Sequence, residues 1–380
     1  MRNILRTLTL LVMAALLGAC SSSENLEKPS PLVNFVPKIQ VEKLWRQSVG
    51  GSDKKYLNLQ IGHDQKTIYT VGYYGRVYAD DAQNGNEIWH RALHANIISG
   101  VSVGDQLAIV GDNVGNMIAL NTQNGKIVWQ HNVGNQVLGL AAIGNGVVVV
   151  KTVADNVVVL NAQNGEELWH FSGNAPTLIL RGGSQPKIVG NKLIIGFADG
   201  KLREFNLHKG TLLWQQVIAQ PQGGFPIQRL VDITASPVIS HGVTYVVTYQ
   251  GNIQALETGT GQMLWHHKLS SYTGLALSST NLYVTDAKSH IYSFSQEDGN
   301  VVWKQIKLEA RTITAPVLLG DYLIVADAEG YLHWLSQASG EFVAREQASG
   351  DAIRSTPVVI DDRVYVLDTH GNLAAYKLVK

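Results

Sequence analysis

Short aliphatic runs, each closed by glycine, asparagine or aspartate, follow one another along most of the chain, and none is long enough to make a helix. Val147-Val148-Val149-Val150 and Leu193-Ile194-Ile195 are two of them, and a third type carries proline near its start, as in Ser236-Pro237-Val238-Ile239 and Ala315-Pro316-Val317-Leu318. Runs of this length bounded by turn formers predict buried strands. The polar positions carry a longer period. Asn84-Gly85-Asn86-Glu87-Ile88-Trp89, Asn124-Gly125-Lys126-Ile127-Val128-Trp129, Asn164-Gly165-Glu166-Glu167-Leu168-Trp169 and Asp298-Gly299-Asn300-Val301-Val302-Trp303 are four copies of one phrase. Gly210 to Trp214 and Gly261 to Trp265 end the same way, and Gly340 to Ala344 keeps the glycine but loses the tryptophan.

Ten residues before each of these glycines stands an earlier turn, at Gly75, Gly115, Asp155, Gly200, Gly251, Ser289 and Gly330. A constant interval between two turns holds one strand, and glycine or asparagine supplies the positive φ that tight turns use. With the two aliphatic strands before it, each unit is four strands in about 40 residues, the signature of a β-propeller blade that buries its faces only by stacking on neighbours. The steps between second glycines are 40 (85 to 125), 40 (125 to 165), 45 (165 to 210), 51 (210 to 261), 38 (261 to 299) and 41 (299 to 340).

The chain ends fix the blade number. A further unit starts at Thr356-Pro357-Val358-Val359 and turns at Gly371, but its second glycine would fall one residue beyond Lys380. Val41-Glu42-Lys43-Leu44-Trp45 reads as an outer strand with no unit of its own. Pairing it with Asn372 to Leu378 removes two exposed edges at once, so an all-β ring of eight four-stranded antiparallel blades is predicted. Trp45, Trp89, Trp129, Trp169, Trp214, Trp265 and Trp303 share one repeat position and are expected to pack between blades rather than to form a recognition stripe.

Charged residues make 16% of the chain, below the roughly 25% usual in soluble proteins. The 30 basic and 30 acidic side chains leave no net charge and form no basic run, which argues against a duplex-binding face. The N-terminus changes the picture more. Arg2 and Arg6 precede an apolar core from Leu8 to Leu17, which reads as an export signal over residues 1–19. Leu17-Gly18-Ala19-Cys20 resembles the bacterial lipobox, which implies cleavage before Cys20 and acylation of that cysteine. It is the single cysteine of the chain, so no internal disulfide competes for it. Ser21 follows where a sorting aspartate would retain a lipoprotein in the inner membrane, and this resemblance implies the periplasmic face of the outer membrane. Residues 20–38, with Pro29, Pro31 and Pro37, read as a flexible tether able to span roughly 60 Å, and 39–380 as the propeller.

Catalytic and metal motifs are weak. Gly100-Val101-Ser102-Val103-Gly104 matches the nucleophile-elbow pattern, but another strand follows where a helix is required. His266-His267 places neighbouring rings on opposite faces of a strand, and acids such as Asp199 and Asp327 come singly at turns, too sparsely for calcium. No cofactor, metal or catalytic residue is implied.

The phrase Ala119 to Trp129 resembles the blade motif of quinoprotein dehydrogenases. Those enzymes are much longer and typically use adjacent cysteines, which this chain cannot supply. Eight such blades behind a lipobox resemble the BamB family, non-enzymatic lipoprotein subunits of the machinery that assembles β-barrel proteins in the outer membrane. Leu178-Ile179-Leu180-Arg181-Gly182 is similar to that family's Leu-x-Leu-Arg-Gly segment, and Arg229-Leu230-Val231-Asp232 to its Arg-Leu-x-Asp segment. The resemblance implies that Leu178, Leu180, Arg181 and Asp232 contact the periplasmic domains of the barrel-inserting subunit BamA. The family's second acid is Thr234 here. Unfolded outer-membrane clients are a further implied partner. The two longest repeat steps, 45 and 51, flank these segments, and extra residues in repeat folds map to loops on a binding face. A local pairing of Arg181 with Asp232 inside a plain connection is the alternative at this site. A periplasmic ligand- or polysaccharide-binding propeller, with polar and aromatic residues converging on the axis, is the rival function.

Overall fold

The computed structural model describes residues 27–52 and 56–379. The signal segment 1–19 and the candidate lipid site Cys20 lie outside the described residues. Thirty-two strands and one 3-10 turn, Pro226–Arg229, make up the regular structure among the described residues. They form eight four-stranded sheets, each with its strands in sequence order except the one that closes the ring. Blades 1 to 7 span residues 62–92, 102–132, 142–171, 187–217, 238–268, 275–305 and 317–347. Blade 8 takes three strands from 358–379 and its outer strand, Gln40–Ser48, from the other end of the chain. That strand runs antiparallel to Asn372–Val379, from Gln40 opposite Val379 to Ser48 opposite Asn372. Eight blades closed in this way are what the truncated last repeat implies.

The short first strands of neighbouring blades meet around the axis. They are mostly aliphatic, as in Ala142–Gly144, Leu275–Leu277, Val317–Leu319 and Val358–Ile360. Second and third strands are almost wholly buried, and apolar clusters form between adjacent blades, such as Ile109, Trp129, Val148 and Leu160 between blades 2 and 3. Each sheet is apolar on both faces, so burial comes from stacking around the ring, as the unbroken aliphatic runs require.

In every blade the outer strand carries one β-bulge, and the extra residue is the one just before the tryptophan position, as at Ile88, Val128 and Leu264. The bulge turns the strand so that the tryptophan points sideways. Its ring then lies on the second turn glycine of the next blade: Trp45 on Gly85, Trp89 on Gly125, Trp129 on Gly165, and so on to Trp303 on Gly340. All seven glycines have φ between 64° and 75°, and a Cβ at any of them would sit 2.5 to 2.7 or 2.8 Å from an indole carbon. Six indole N–H groups donate to the carbonyl three residues before that glycine, at 2.8 to 3.2 Å. Trp45, at the closure, does not: the corresponding Ala82 carbonyl accepts the Tyr365 hydroxyl at 2.8 Å.

Two expectations need correction. Gly251 does not take the positive φ expected at its turn. Gln250 does, at 48°, while Gly251 is held by the Thr248 side chain and Ala219, which leave no room for a Cβ. The part of the expected tether that is described, residues 27–38, forms no strand, yet it is not free. Ser30 N–H donates to Glu309 O and Lys38 N–H to Val343 O, while buried Arg311 and half-buried Arg345 donate to the carbonyls of Ser30 and Val33. Phe35 stacks on Phe342 with centroids 5.6 Å apart. Val33 and Phe35 supply the apolar contacts that hold a proline-rich segment to blades 6 and 7.

Candidate partner-binding face

The connections from blade 3 to blade 4 and from blade 4 to blade 5 run beside each other on one rim. Asp232 joins them. One carboxylate oxygen, Oδ1, accepts the Leu180 N–H at 3.0 Å, and the Asp232 carbonyl accepts the Tyr249 N–H at 3.0 Å. Further stitches follow: Gln185 N–H to Ser236 Oγ at 2.9 Å, Ser184 Oγ to Ala235 O at 3.3 Å, and Thr234 Oγ1 to Tyr272 O at 3.0 Å. Gly182 packs on Thr234, and Gly183 lies so close to the Gly139 backbone that neither has room for a side chain.

The structure therefore brings Leu180 and Asp232 together and leaves Leu178 and Arg181 facing outward. Leu178 is 42% exposed, Leu180 is half-buried, and Arg181 is exposed with no ion pair among the described residues. The alternative of a local Arg181 to Asp232 pair is not what forms. Asp232, implied as a surface contact, is 3% exposed instead, because its carboxylate turns inward to hold the neighbouring loop. Burial is the main cause that raises its pKa to about 6, opposed by the Leu180 N–H and by Lys151. Its other oxygen, Oδ2, is buried with no hydrogen-bond partner among the described residues, and Asp232 borders a small cleft lined also by Lys151, Ile179 and Thr234.

Sequence reasoning missed two residues beside this pair. Residues 221–229 are all exposed, and Phe225 and Ile227 stand 68% and 62% open to solvent. The loop is nevertheless ordered by its own bonds: Gln228 Oε1 accepts the N–H groups of Gly224 and Phe225, and Gln250 Nε2 donates to Ile227 O. An aromatic residue set between turn formers, Gly223-Gly224-Phe225-Pro226, within the longest repeat step was the available signal.

Among the described residues no three His, Cys, Asp or Glu side chains gather as metal ligands. The family model described as outer membrane protein assembly factor BamB matches residues 74–305. The outer membrane protein assembly factor BamB of Legionella pneumophila is 46% identical over 322 residues, covering 82% of this chain and 84% of the relative. The chain belongs to the BamB family. The solved BamB of Moraxella catarrhalis superposes with a TM-score of 0.82 at 23% identity, covering 89% of this chain and all of that one. A quinohemoprotein alcohol dehydrogenase of Pseudomonas putida superposes at 0.72 with 13% identity, over 90% of this chain and 76% of the enzyme, a likeness of fold alone. The BamB-family match and the propeller it brings account for the repeat that resembles quinoprotein blades.

Proposed function

We propose that this protein is a non-enzymatic scaffold of the outer-membrane β-barrel assembly machinery, held to the periplasmic face of the outer membrane by acyl chains on Cys20, and that it grips the barrel-inserting subunit BamA with the rim of blades 3 to 5. The observation that carries the reading is the pinned loop: Leu178 and Arg181 project from a segment whose backbone is fixed to buried Asp232. A rigid display of one apolar and one cationic side chain lowers the ordering cost of association, which is how a few residues come to dominate an interface. Leu180 and Asp232 act behind them, as positioning residues. Family membership supports the assembly role, and the short first strands around the axis are mostly aliphatic.

The test is capture of BamA from solubilised membranes by the wild type and by Leu178→Ala, Arg181→Glu and Asp232→Ala. Each variant should capture several-fold less while melting as a folded propeller, and undiminished capture would defeat the site assignment. Cys20→Ser should release the protein from membranes and abolish palmitate labelling. Retention in the outer membrane would refute the anchor.

A further inference from the structure

Residues 30–38 are held to the ring at both ends and in the middle. Ser30 donates its N–H to Glu309 O at 3.0 Å and its hydroxyl to Lys307 O at 3.1 Å. Arg311 and Arg345 donate to the carbonyls of Ser30 and Val33, each at 3.0 Å. Other groups of the ring hold both guanidinium groups from behind, Arg311 by Asp327 at 2.7 Å and by Glu329, Arg345 by His333 Nδ1 at 3.2 Å. Little further ordering is then needed for them to take the two carbonyls. Arg345 also stands 5.0 Å over the Phe35 ring, and Lys38 closes the segment on Glu341 at 2.9 Å. Lys307 and Glu309 directly follow the last strand of blade 6, so the chain before Ser30 leaves the ring beside that blade, with residues 27–29 exposed.

This docking shortens the leash to Cys20. Residues 20–38, if free, would reach roughly 60 Å, but residues 20–29 reach at most roughly 35 Å when fully extended and about 15 to 20 Å as a flexible coil. A globule the size of residues 39–380 is about 50 Å across. A leash shorter than the ring is wide keeps blades 2 and 3, on the far side, from the surface that holds Cys20, whereas a 60 Å leash does not. The edge beside the exit differs from the same place on blade 2, which lies opposite. Lys288, Lys304 and Lys307 are exposed there, and Ile306 is 53% open to solvent. The equivalent positions of blade 2 are Val114, Gln130, Val133 and Asn132, so the charge is not a property of the repeat. Exposed Lys28 precedes the exit, beside Glu27. Of the other acids at this edge, Glu329 is paired with Arg311, and Glu309 faces His290 at 3.4 Å.

We infer that residues 30–38 are a strap that fixes the anchored end of the chain to blade 6, and that the edge bearing Lys288, Lys304, Ile306 and Lys307 is apposed to an anionic lipid surface. The inference rests on the proposed acylation of Cys20, which supplies the lipid end of the leash. Attraction between the lysines and anionic headgroups falls off within a Debye length, so these side chains act because the short leash keeps them near the surface. The rim of blades 3 to 5 then stands on the part of the ring turned from the bilayer, where soluble domains of a partner can reach Leu178 and Arg181.

The full-length protein, expressed with its own export signal, is reconstituted into vesicles of phosphatidylethanolamine and phosphatidylglycerol that carry a headgroup energy acceptor. A donor dye is attached through Val302→Cys on blade 6 or through Val128→Cys at the same repeat position of blade 2, both exposed. Energy transfer should be at least about threefold stronger from position 302 than from position 128. A ten-residue glycine–serine insertion between Pro29 and Ser30 restores the long reach without touching the strap, and should bring the ratio close to one. Phe35→Ala with Arg345→Gln, which frees the strap, should do the same in protein whose melting temperature shows it folded, and the insertion keeps the test decisive if it is not. Lys288→Glu, Lys304→Glu and Lys307→Glu together should about halve transfer from position 302 on these vesicles and leave it unchanged on phosphatidylcholine vesicles. Equal transfer from the two positions, or a ratio that the insertion leaves unchanged, would overturn the strap. Charge reversal without effect on the anionic vesicles would overturn the lipid-facing edge. Protein that fails to float with vesicles overturns the anchor and this inference together, whereas floating protein with equal transfer overturns this inference alone.

Discussion

The contact between a tryptophan and the next blade's turn glycine makes a quantitative prediction, best drawn at Trp129 and Gly165. Trp129 is 6% exposed, lies against Gly165 and donates its indole N–H to Ala162 O at 2.8 Å. Trp129→Ala removes a buried aromatic side chain and should cost about 3 to 5 kcal/mol. Gly165→Ala acts twice. A non-glycine residue at φ +73° costs about 1 to 2 kcal/mol, and a Cβ placed 2.7 Å from two indole carbons adds an overpacking cost of about 1 to 3 kcal/mol. In the Trp129→Ala background only the backbone cost remains. The double variant should therefore be more stable than the sum of the singles by about 1 to 3 kcal/mol. Gly190→Ala is the control: its φ is also positive, at 56°, but nothing lies within 4 Å of the added carbon, so no coupling to Trp129 is expected. Urea unfolding followed by far-UV circular dichroism measures the cycle. Costs at Trp129 and Gly165 that add to within about 0.5 kcal/mol would refute the indole and glycine as a single packing unit.

Ala344→Trp restores the repeat tryptophan in a cluster already filled by Ile39, Val41 and Tyr376. At a site 3% exposed it should lower stability by about 1 to 3 kcal/mol, and a gain in melting temperature would contradict the packing described. Asp80 is fully buried beside Gln47 at the ring closure, and burial raises its pKa from the ordinary 3.8 to about 7. Its ionisation is disfavoured in the folded state, so stability is fully present below about pH 4, falls as pH rises toward 7, and is level above that. Asp80→Asn should thus melt higher than the wild type at pH 8, by no more than about 4 kcal/mol, and nearly equally at pH 4, whereas the same gain at both would exclude this cause. Phe35→Ala should loosen residues 33–38, seen as faster hydrogen exchange at the Lys38 amide. Unchanged exchange would show that the aromatic stack with Phe342 does not hold the segment.

The blade count was legible because each blade is specified by local chemistry that recurs: a positive-φ glycine, a bulge and an indole at fixed spacing. What the sequence hid depends on contacts between residues far apart. Asp232 looks like an exposed acid in an irregular connection until Leu180, 52 residues earlier, turns its N–H toward it. Prolines 29, 31 and 37 look like a free tether until Arg311 and Arg345, some 280 and 312 residues later, take the carbonyls of Ser30 and Val33. Spacing marks none of these pairings, because at least one member of each lies outside the repeated strands.

The same distinction explains where the ring is free to vary. At blade 8 the outer strand comes from the opposite chain end, and the space beside Ala344 is filled by Ile39 and Val41 from that end. An insertion there would slide the register of a strand that must meet Asn372–Val379 residue by residue, exposing its apolar face. Blade 4 lies four blades away, on the opposite side of an eight-membered ring, and its two connections are the longest in the chain. Loop length is nearly free thermodynamically where the strands on either side are already paired. Recognition residues can accumulate at blades 3 to 5 without disturbing closure, and a substitution at Leu178 or Arg181 should change capture of a partner without moving the melting temperature set by Trp45, Asp80 and Tyr365.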